Sequence, residues 1–282
     1  MRILEARQRV VTSATGVRLP TVKHAPVKPA PGGFPQRKAA NLPFVAADQL
    51  RDIQRSARED FHLDVLQMTE NAGRAGATLA LAMLGGKARG QRIIVLAGGG
   101  SMGASGLCAV RHLANWGFTV EPLFGEITEE MAPITRRQAE ILRASGMHQH
   151  SEQNSSEDAL REHMHHADLI IDALVGYGLA GPPTGIAAAA AELAVESGRP
   201  ILSLDVPTGV DATTGQVYAP AIRAVTTLLL DLPKRGMLEP ACRNCVGELY
   251  LADIGVPSAV HERAGFRSNG IFSEGPIIRI RR

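Results

Sequence analysis

Short apolar runs alternate with longer amphipathic segments along most of this chain. The runs have the length of strands and are mainly aliphatic, and they cover residues 92–97, 119–125, 168–174, 200–206, 224–230 and 248–254. Helical spacing of apolar residues covers residues 46–59, 65–84, 107–116, 128–145 and 184–197. Buried strands that alternate with helices are typical of a parallel sheet covered on both faces. The pattern predicts an α/β fold with a mostly parallel sheet.

The pattern is absent near both ends of the chain. Residues 1–41 contain one acid, Glu5, among many basic residues, and prolines interrupt residues 26–35. This composition predicts a disordered basic tail, although an arginine-rich organelle transit peptide would share it. We expect a single domain over residues 42–262 and a second tail over residues 263–282.

Composition excludes several classes of function. The formal net charge of +2 favours neither nucleic acid nor an acidic partner. No apolar run approaches the ~18 residues that a membrane span requires, so no membrane association is predicted. The 282 residues include three cysteines, which suit a reducing compartment better than a disulfide framework. We expect a cytoplasmic protein.

A glycine-rich loop over residues 98–106 joins the first apolar run to a helix. Free backbone N–H groups and the positive end of the helix dipole make such a loop a binding site for phosphate. A tight turn that needs glycine only for its backbone would look the same. Gly98, Gly100 and Gly103 also fit a dinucleotide fingerprint, with Glu121 at the distance of a ribose contact. A hydride-transfer enzyme would need a substrate subdomain as well, and the sequence contains none that we recognise.

Two carboxylates follow later strands of the predicted sheet. Asp172 lies at the end of the third run and Asp205 at the end of the fourth. Ligands bind beyond the carboxyl ends of parallel strands, so we expect both side chains at that edge, close to the glycine loop. Acids at the ends of apolar strands favour a role in ligand binding or proton transfer, whereas Asp211 is better explained as a capping residue.

Several motifs resemble those of the YjeF N-terminal domain family, whose characterised enzymes are NAD(P)H-hydrate epimerases. One is Met-Thr-Glu-Asn-Ala-Gly-Arg-Ala at residues 68–75. The others lie, in the order of the family, within residues 98–113, 171–181, 205–211, 233–236 and 253–257. The resemblance covers roughly residues 43–257 and does not include the second, dehydratase domain of bifunctional members.

The resemblance implies a three-layer, Rossmann-like sandwich that binds hydrated NADH or NADPH together with a potassium ion, and it allows a homodimer. Asp172 and Asp205 are the implied acid/base residues, with Lys234 as a weaker candidate. Asp172 and Thr208 would hold the ion. Besides Asp205, the substrate-binding residues would be Ser101, Met102, Gly103, Ala104, Ser105, Gly176, Tyr177, Gly178, Leu179, Ala180, Gly181 and Pro182.

The glycine loop departs from the family at two side chains. The family reads Asn-Asn-Gly-Gly-Asp-Gly, and this chain reads Ser-Met-Gly-Ala-Ser-Gly at residues 101–106. Met102 therefore replaces an asparagine that ligates the ion, and a thioether is a poor ligand for a hard cation. Ser105 replaces the aspartate. Tyr177 stands where a smaller residue is common and would narrow the pocket.

These departures leave two functions open. The first is epimerisation of hydrated NADH or NADPH, and the second is a non-catalytic descendant that binds a nucleotide or acts as a scaffold.

Two further groups of residues have less distinctive patterns. Cys242 and Cys245 have the spacing of a metal knuckle without a second cysteine pair, and the histidines of residues 148–166 are better explained as a solvated loop and helix end.

Overall fold

A computed structural model describes residues 33–123, 129–147 and 156–282. The strands are β1 (Gln36–Lys38), β2 (Arg92–Ala97), β3 (Thr119–Leu123), β4 (Leu169–Ala173), β5 (Ile201–Leu204), β6 (Thr226–Leu230), β7 (Glu248–Ala252) and β8 (Ile277–Arg281). The helices are α1 (Ala47–Glu59), α2 (Val65–Met83), α3 (Ser101–Asn115), α4 (Pro133–Ala144), α5 (Glu157–His165), α6 (Gly185–Glu196), α7 (Arg243–Val246) and α8 (Ser258–Arg263).

The eight strands form one sheet in the order β1-β8-β7-β6-β5-β4-β2-β3. Neighbouring strands are parallel except for β7 and β8, which are antiparallel. The predicted α/β fold with a mostly parallel sheet is therefore confirmed. All six predicted strands are present, although most are shorter than the apolar runs that predicted them.

Successive residues of the strands alternate between two apolar layers. Ile93 and Val95 of β2 pack with residues of α2, α3 and α4. Ile94 and Leu96 of the same strand pack on the opposite face with residues of α5 and α6. A third cluster, which includes Leu50 of α1, covers that opposite face at the β6–β8 end. The result is the expected three-layer sandwich. No described helix combines the length and apolar composition that crossing a bilayer requires.

Both predicted tails are wrong in part, because the sheet extends into them. Ile277, Ile278 and Ile280 are buried, and β8 pairs with β7. β1 pairs in turn with β8, and the Arg279 N–H donates to the Pro35 carbonyl at 2.7 Å. The arginines at the end of residues 263–282 favour a tail, but a strand near a sheet edge can expose arginine while burying isoleucine. Residues 1–32 lie outside the described residues.

The helix after the glycine loop begins earlier than predicted. α3 starts at Ser101, within the loop, rather than at Leu107. Its N-cap residue is Gly100, which has no side chain to cap the helix. Sequence periodicity could not show this start because the first turn consists of small residues. The helix N-terminus therefore lies close to the carboxyl end of β2.

The order of the strands reverses beside β2. From β2 the chain moves outward to β3 and then returns to the other side of β2 as β4. A crevice opens between the loops that follow β2 and β4, which is where ligands bind in sheets of this kind.

A short backbone pairing positions α1 at the same edge. The Val45 N–H donates to the Pro233 carbonyl, and the Arg235 N–H donates to the Val45 carbonyl, both at 2.9 Å. The start of α1 is thereby fixed to the loop that follows β6. α2 comes next, and the Asp64 carboxylate caps it by accepting from the Leu66 N–H at 2.7 Å.

Candidate functional site

A cleft of about 980 Å³ opens at the carboxyl edge of the sheet. The loops after β2, β4, β5 and β6 contribute to its wall, together with residues of α1 and α2. The predicted substrate-binding residues that line it are Ser101, Met102, Ser105, Gly176, Tyr177, Gly178 and Asp205. Gly103 and Ala104 are buried in the first turn of α3, and Leu179, Ala180, Gly181 and Pro182 lie beyond the lining residues.

The glycine loop presents backbone donors to this cleft. Within the described residues, the N–H groups of Gly99, Gly100, Ser101 and Met102 have no acceptor. Anions bind well at such a helix start, because several N–H groups and the helix dipole act together. The glycines also have a packing role, since a Cβ on Gly103 would lie 1.8 Å from the Gly98 carbonyl oxygen. The loop thus needs glycine for its backbone and also presents free N–H groups at the start of a helix.

Asp172 lies below the wall of the cleft at the end of β4. Its carboxylate accepts hydrogen bonds from the Thr208 hydroxyl at 2.8 Å, the Thr208 N–H at 2.9 Å, the Ser203 hydroxyl at 2.8 Å and the Leu174 N–H at 3.2 Å. Burial raises the pKa of Asp172, and the hydrogen bonds from Thr208 and Ser203 offset part of that rise. The side chain joins the loops after β4 and β5.

Asp205 lines the cleft and forms a buried ion pair with Lys234. Lys234 Nζ contacts Asp205 Oδ1 and also donates to the Leu230 carbonyl at 2.7 Å. Both side chains are almost inaccessible to solvent, yet both contribute to the wall of the cleft. The sequence identified Lys234 only as a weaker candidate, because its partner is far away along the chain. The structure brings the two together where β5 and β6 end.

The predicted potassium ligands form a poor site for that ion. The two oxygens of Asp172 already accept four hydrogen bonds, and the Thr208 hydroxyl both donates to Asp172 and accepts from the Val175 N–H. Met102 offers sulfur, whereas an alkali cation prefers oxygen. The predicted side-chain ligands thus offer an ion few oxygen atoms that are not already hydrogen-bonded.

Tyr177 stands at the border between the cleft and α1. Its hydroxyl donates to Gln54 Oε1 at 2.7 Å. Burial raises the pKa of Tyr177, and the negative charge of Asp205 raises it further. The contact connects the loop after β4 to α1 at the edge of the cleft. That Tyr177 narrows the cleft stays a prediction.

The acid of the alternative dinucleotide fingerprint lies away from the cleft. Glu121 is on β3, where its carboxylate bonds to His163 Nδ1 at 2.7 Å and pairs with Arg92 at 3.4 Å. It is not among the lining residues. His148 and His150 lie outside the described residues, and His165 and His166 lie at the end of α5.

The cysteines are buried free thiols. Cys108 of α3 lies within 4.8 Å of ligand atoms of Glu70 and His112, but Arg111 pairs with the same Glu70 carboxylate. Burial and the charge of Glu70 raise the pKa of Cys108 to about 12. Burial likewise raises the pKa of Cys245 to about 11, so these thiols stay protonated.

Comparisons with known proteins agree with this architecture. Residues 65–236 match the family model of the YjeF-related protein N-terminus. The chain belongs to the YjeF N-terminal family. A crystal structure of the yeast protein ynu0 has the same fold, with a TM-score of 0.71 at 22% identity over 84% of this chain and all of that one.

Similar members of the YjeF family include single-domain and bifunctional enzymes. The NAD(P)H-hydrate epimerase of Dehalogenimonas lykanthroporepellens is 38% identical over 82% of this chain and 90% of its own length. The Bifunctional NAD(P)H-hydrate repair enzyme Nnr of Thermofilum pendens is 31% identical over 76% of this chain but only 40% of its own length. The chain thus spans less than half of that bifunctional relative.

The YjeF match includes the loops of the cleft but not the whole of its wall. Residues 65–236 contain the glycine loop, Asp172, Asp205 and Lys234. α1 lies before the matched range, and its contribution to the cleft through Gln54 was not predicted from the sequence. The apolar pattern of α1 predicts a helix that packs on the sheet, but it does not show that polar residues of the same helix line a cleft.

Proposed function

We propose that the protein is an NAD(P)H-hydrate epimerase, an isomerase that interconverts the R and S epimers of hydrated NADH and NADPH. The observation that carries this proposal is the Asp205–Lys234 pair in the wall of the cleft, beside a glycine loop with free N–H groups. The support from relatives is the 38% identity to a single-domain epimerase over 90% of that enzyme.

The cleft suits a nucleotide substrate. Its volume of about 980 Å³ lies at the upper end of the range for small-molecule and cofactor sites. The N–H groups at residues 99–102 bind the phosphates, which leaves the nicotinamide end for the walls formed by the loops after β4, β5 and β6. Phosphate binding of this kind uses backbone atoms, so it survives the changed side chains at Met102 and Ser105.

Epimerisation requires the hydroxylated ring carbon to lose and regain its configuration. Protonation of the hydroxyl lets it leave as water, and the bonding electrons of the C–O bond go with it. The adjacent ring nitrogen stabilises the resulting cation through its lone pair. Water then adds to the opposite face and gives up one proton, so the reaction consumes and returns one water and one proton.

The Asp205–Lys234 pair supplies that proton and takes it back. In a buried pair, the ionised form and the neutral form (carboxylic acid beside amine) differ only in the position of one proton. The pair can therefore offer an acid without changing the net charge of the site. Because water adds to the opposite face of the ring, its proton returns to the same carboxylate through a water molecule, which restores the pair to its starting state.

Asp172 has a positioning role in this proposal. Its four hydrogen bonds hold the loops after β4 and β5, and with them Thr208 and the backbone before Tyr177.

No step of the reaction uses a potassium ion, because Met102 offers sulfur and the side-chain oxygens of Asp172 and Thr208 are already hydrogen-bonded. Three buried free thiols suit a cytoplasmic location. A homodimer stays a prediction.

The deciding experiment is an epimerisation assay on purified R and S hydrates of NADH and NADPH, with and without potassium. We expect activity in the natural chain and a loss of about 10²–10⁴ in rate for Asp205→Asn. The double variant Asp205→Asn/Lys234→Met removes both charges together, which preserves the fold while abolishing proton transfer. Asp158→Asn, whose side chain is 97% exposed, is the matched control. Equal rates for Asp205→Asn and the natural chain would contradict the assignment.

The non-catalytic alternative rests on the altered loop. Met102 and Ser105 line the cleft at the positions where the loop departs from the family pattern. A scaffold or a nucleotide-binding descendant would bind NAD(P)H-like nucleotides without converting the hydrates. Binding without turnover in the assay above would establish that alternative.

A further inference from the structure

A second, smaller groove opens off the cleft at α1. It has a volume of about 340 Å³ and is continuous with the cleft, because five of its lining residues belong to both: Gln54, Val65, Met68, Ser101 and Tyr177. Its remaining lining residues are Arg51, Arg55 and Arg58. All the residues that line the groove but not the cleft are therefore arginines.

The three arginines occupy one face of α1. They are four and then three residues apart, which places them along one side of a helix. Leu50, Ile53 and Ala57 are buried on another side and hold α1 against the sheet. The pairing of Val45 with residues 233 and 235 fixes the start of α1 beside Lys234. The arginine face is thus held at a defined position at the mouth of the cleft.

The positive charge of this face is only weakly compensated. Arg55 pairs with Asp52 at 2.7 Å, but both side chains are mostly exposed, and exposed ion pairs contribute little to the free energy of folding. Arg58 donates to the Gln54 carbonyl at 3.3 Å. Arg51 makes no hydrogen bond or ion pair with any residue that the structure describes. Guanidinium groups bind phosphate with paired donors, so the groove suits a phosphate group.

We propose that this groove binds the 2′-phosphate of hydrated NADPH and makes the enzyme prefer NADPH hydrate over NADH hydrate. The proposal rests on the proposed function. The free N–H groups of the glycine loop already serve the pyrophosphate, which both substrates carry. A separate cationic groove therefore suits the one phosphate that distinguishes them.

The two binding positions share a residue. Ser101 is the first residue of α3, next to the free N–H groups, and it also lines the arginine groove. A nucleotide whose pyrophosphate lies at the start of α3 can extend its adenosine end directly into the groove.

Binding of nucleotide fragments tests the proposal without catalysis. Titration calorimetry compares adenosine 2′,5′-bisphosphate with adenosine 5′-monophosphate, which differ by the 2′-phosphate alone. We expect the bisphosphate to bind at least about tenfold more tightly, as charge-assisted hydrogen bonds allow. Arg51→Ala/Arg55→Ala/Arg58→Ala removes the difference. Arg89→Ala, an exposed arginine in the turn before β2, retains it and is the matched control.

Kinetics on the two hydrates provides a second, independent measurement. The triple variant should raise KM for NADPH hydrate about tenfold and leave kcat and the KM for NADH hydrate unchanged. A merely structural role of the arginines would impair both substrates alike. The preference of the natural chain should also shrink as salt is added, because exposed charges are screened.

The outcomes separate this inference from the proposed function. Equal binding of the two fragments by the natural chain overturns the inference. Equal weakening of both fragments in the triple variant also overturns it, because the groove would then hold the 5′-phosphate that both fragments carry. Activity on both hydrates without a preference leaves the epimerase function intact. A fragment preference that the triple variant abolishes supports the groove even if neither hydrate is converted.

Discussion

Asp205 holds a backbone conformation that few residues adopt. Its φ is +68°, in the left-handed region, where most side chains cost about 1–3 kcal/mol. Aspartate and asparagine tolerate this region best, because their short polar side chains bond locally. The turn brings the Asp205 carboxylate against Lys234 Nζ and the Leu230 N–H, which lies at 3.2 Å. Asparagine is therefore the substitution that tests the charge of Asp205 without changing its backbone.

A double-mutant cycle measures the buried pair. We expect Asp205→Asn and Lys234→Met each to lower the free energy of unfolding by about 3–5 kcal/mol, since each leaves a buried charge without a partner. The double variant should lose less than either single variant. Urea denaturation monitored by circular dichroism provides these values.

Additive losses in the double variant would contradict the pairing. Exposed pairs such as Arg55–Asp52 provide the comparison, because removing that pair should change stability by no more than about 1 kcal/mol. The contrast between the two cycles separates the effect of burial from that of charge alone.

Met102 offers sulfur at a position where a potassium site would use oxygen. We expect the natural chain to show no potassium-dependent change in affinity or rate up to physiological concentrations. Met102→Asn supplies an amide oxygen in place of sulfur, so it should strengthen potassium binding measured by titration calorimetry. Met102→Leu, which adds no oxygen, is the control. Tight, selective potassium binding by the natural chain would show that other ligands replace Met102.

The packing of α2 on α3 determines where the glycine loop lies. Gly73 of α2 approaches α3 so closely that a Cβ would lie 2.5 Å from the Cys108 Cβ and 2.9 Å from the Ser105 carbonyl oxygen. Arg111 and His112 of α3 meanwhile bond to Glu70 of α2. Burial raises the pKa of Glu70, but hydrogen bonds from Cys108 and the charge of Arg111 outweigh it and hold that pKa below its usual value. α2 therefore fixes the first turns of α3 through both contact and charge.

Gly73→Ala should disturb this contact. We expect it to lower the free energy of unfolding by about 1–3 kcal/mol despite the higher helix propensity of alanine, because the neighbouring backbone cannot yield easily. Gly76→Ala, one turn later in the same helix, is the matched control. Its Cβ would meet the flexible end of Leu204 at 3.0 Å, and we expect a change near zero. Equal effects of the two substitutions in urea denaturation would contradict the assigned contact.

At the scale of the whole molecule, the strands from β2 to β7 were predictable, whereas β8 and β1 at one edge of the sheet were not. The strands from β2 to β7 coincide with mainly apolar runs, so they stand out in the sequence. β8 alternates isoleucine with arginine, and β1 is short and polar, so neither has that signal. The edge positions of Asp172 and Asp205 followed from strand order alone. The Lys234 partner and the arginine face of α1 depend on contacts between segments distant in sequence, which periodicity does not encode.

The pairing of β1 with β8 also bears on the order in which the sheet assembles. Gln36 pairs with Arg279, so this contact closes a loop that contains the rest of the sheet. The entropy cost of closing a loop rises with its length, so the central strands, whose partners lie nearer in sequence, can pair first. Until β1 docks, β8 presents an open edge that can recruit a strand from another chain. Docking of β1 is thus the step of folding at which this protein is most exposed to misassembly.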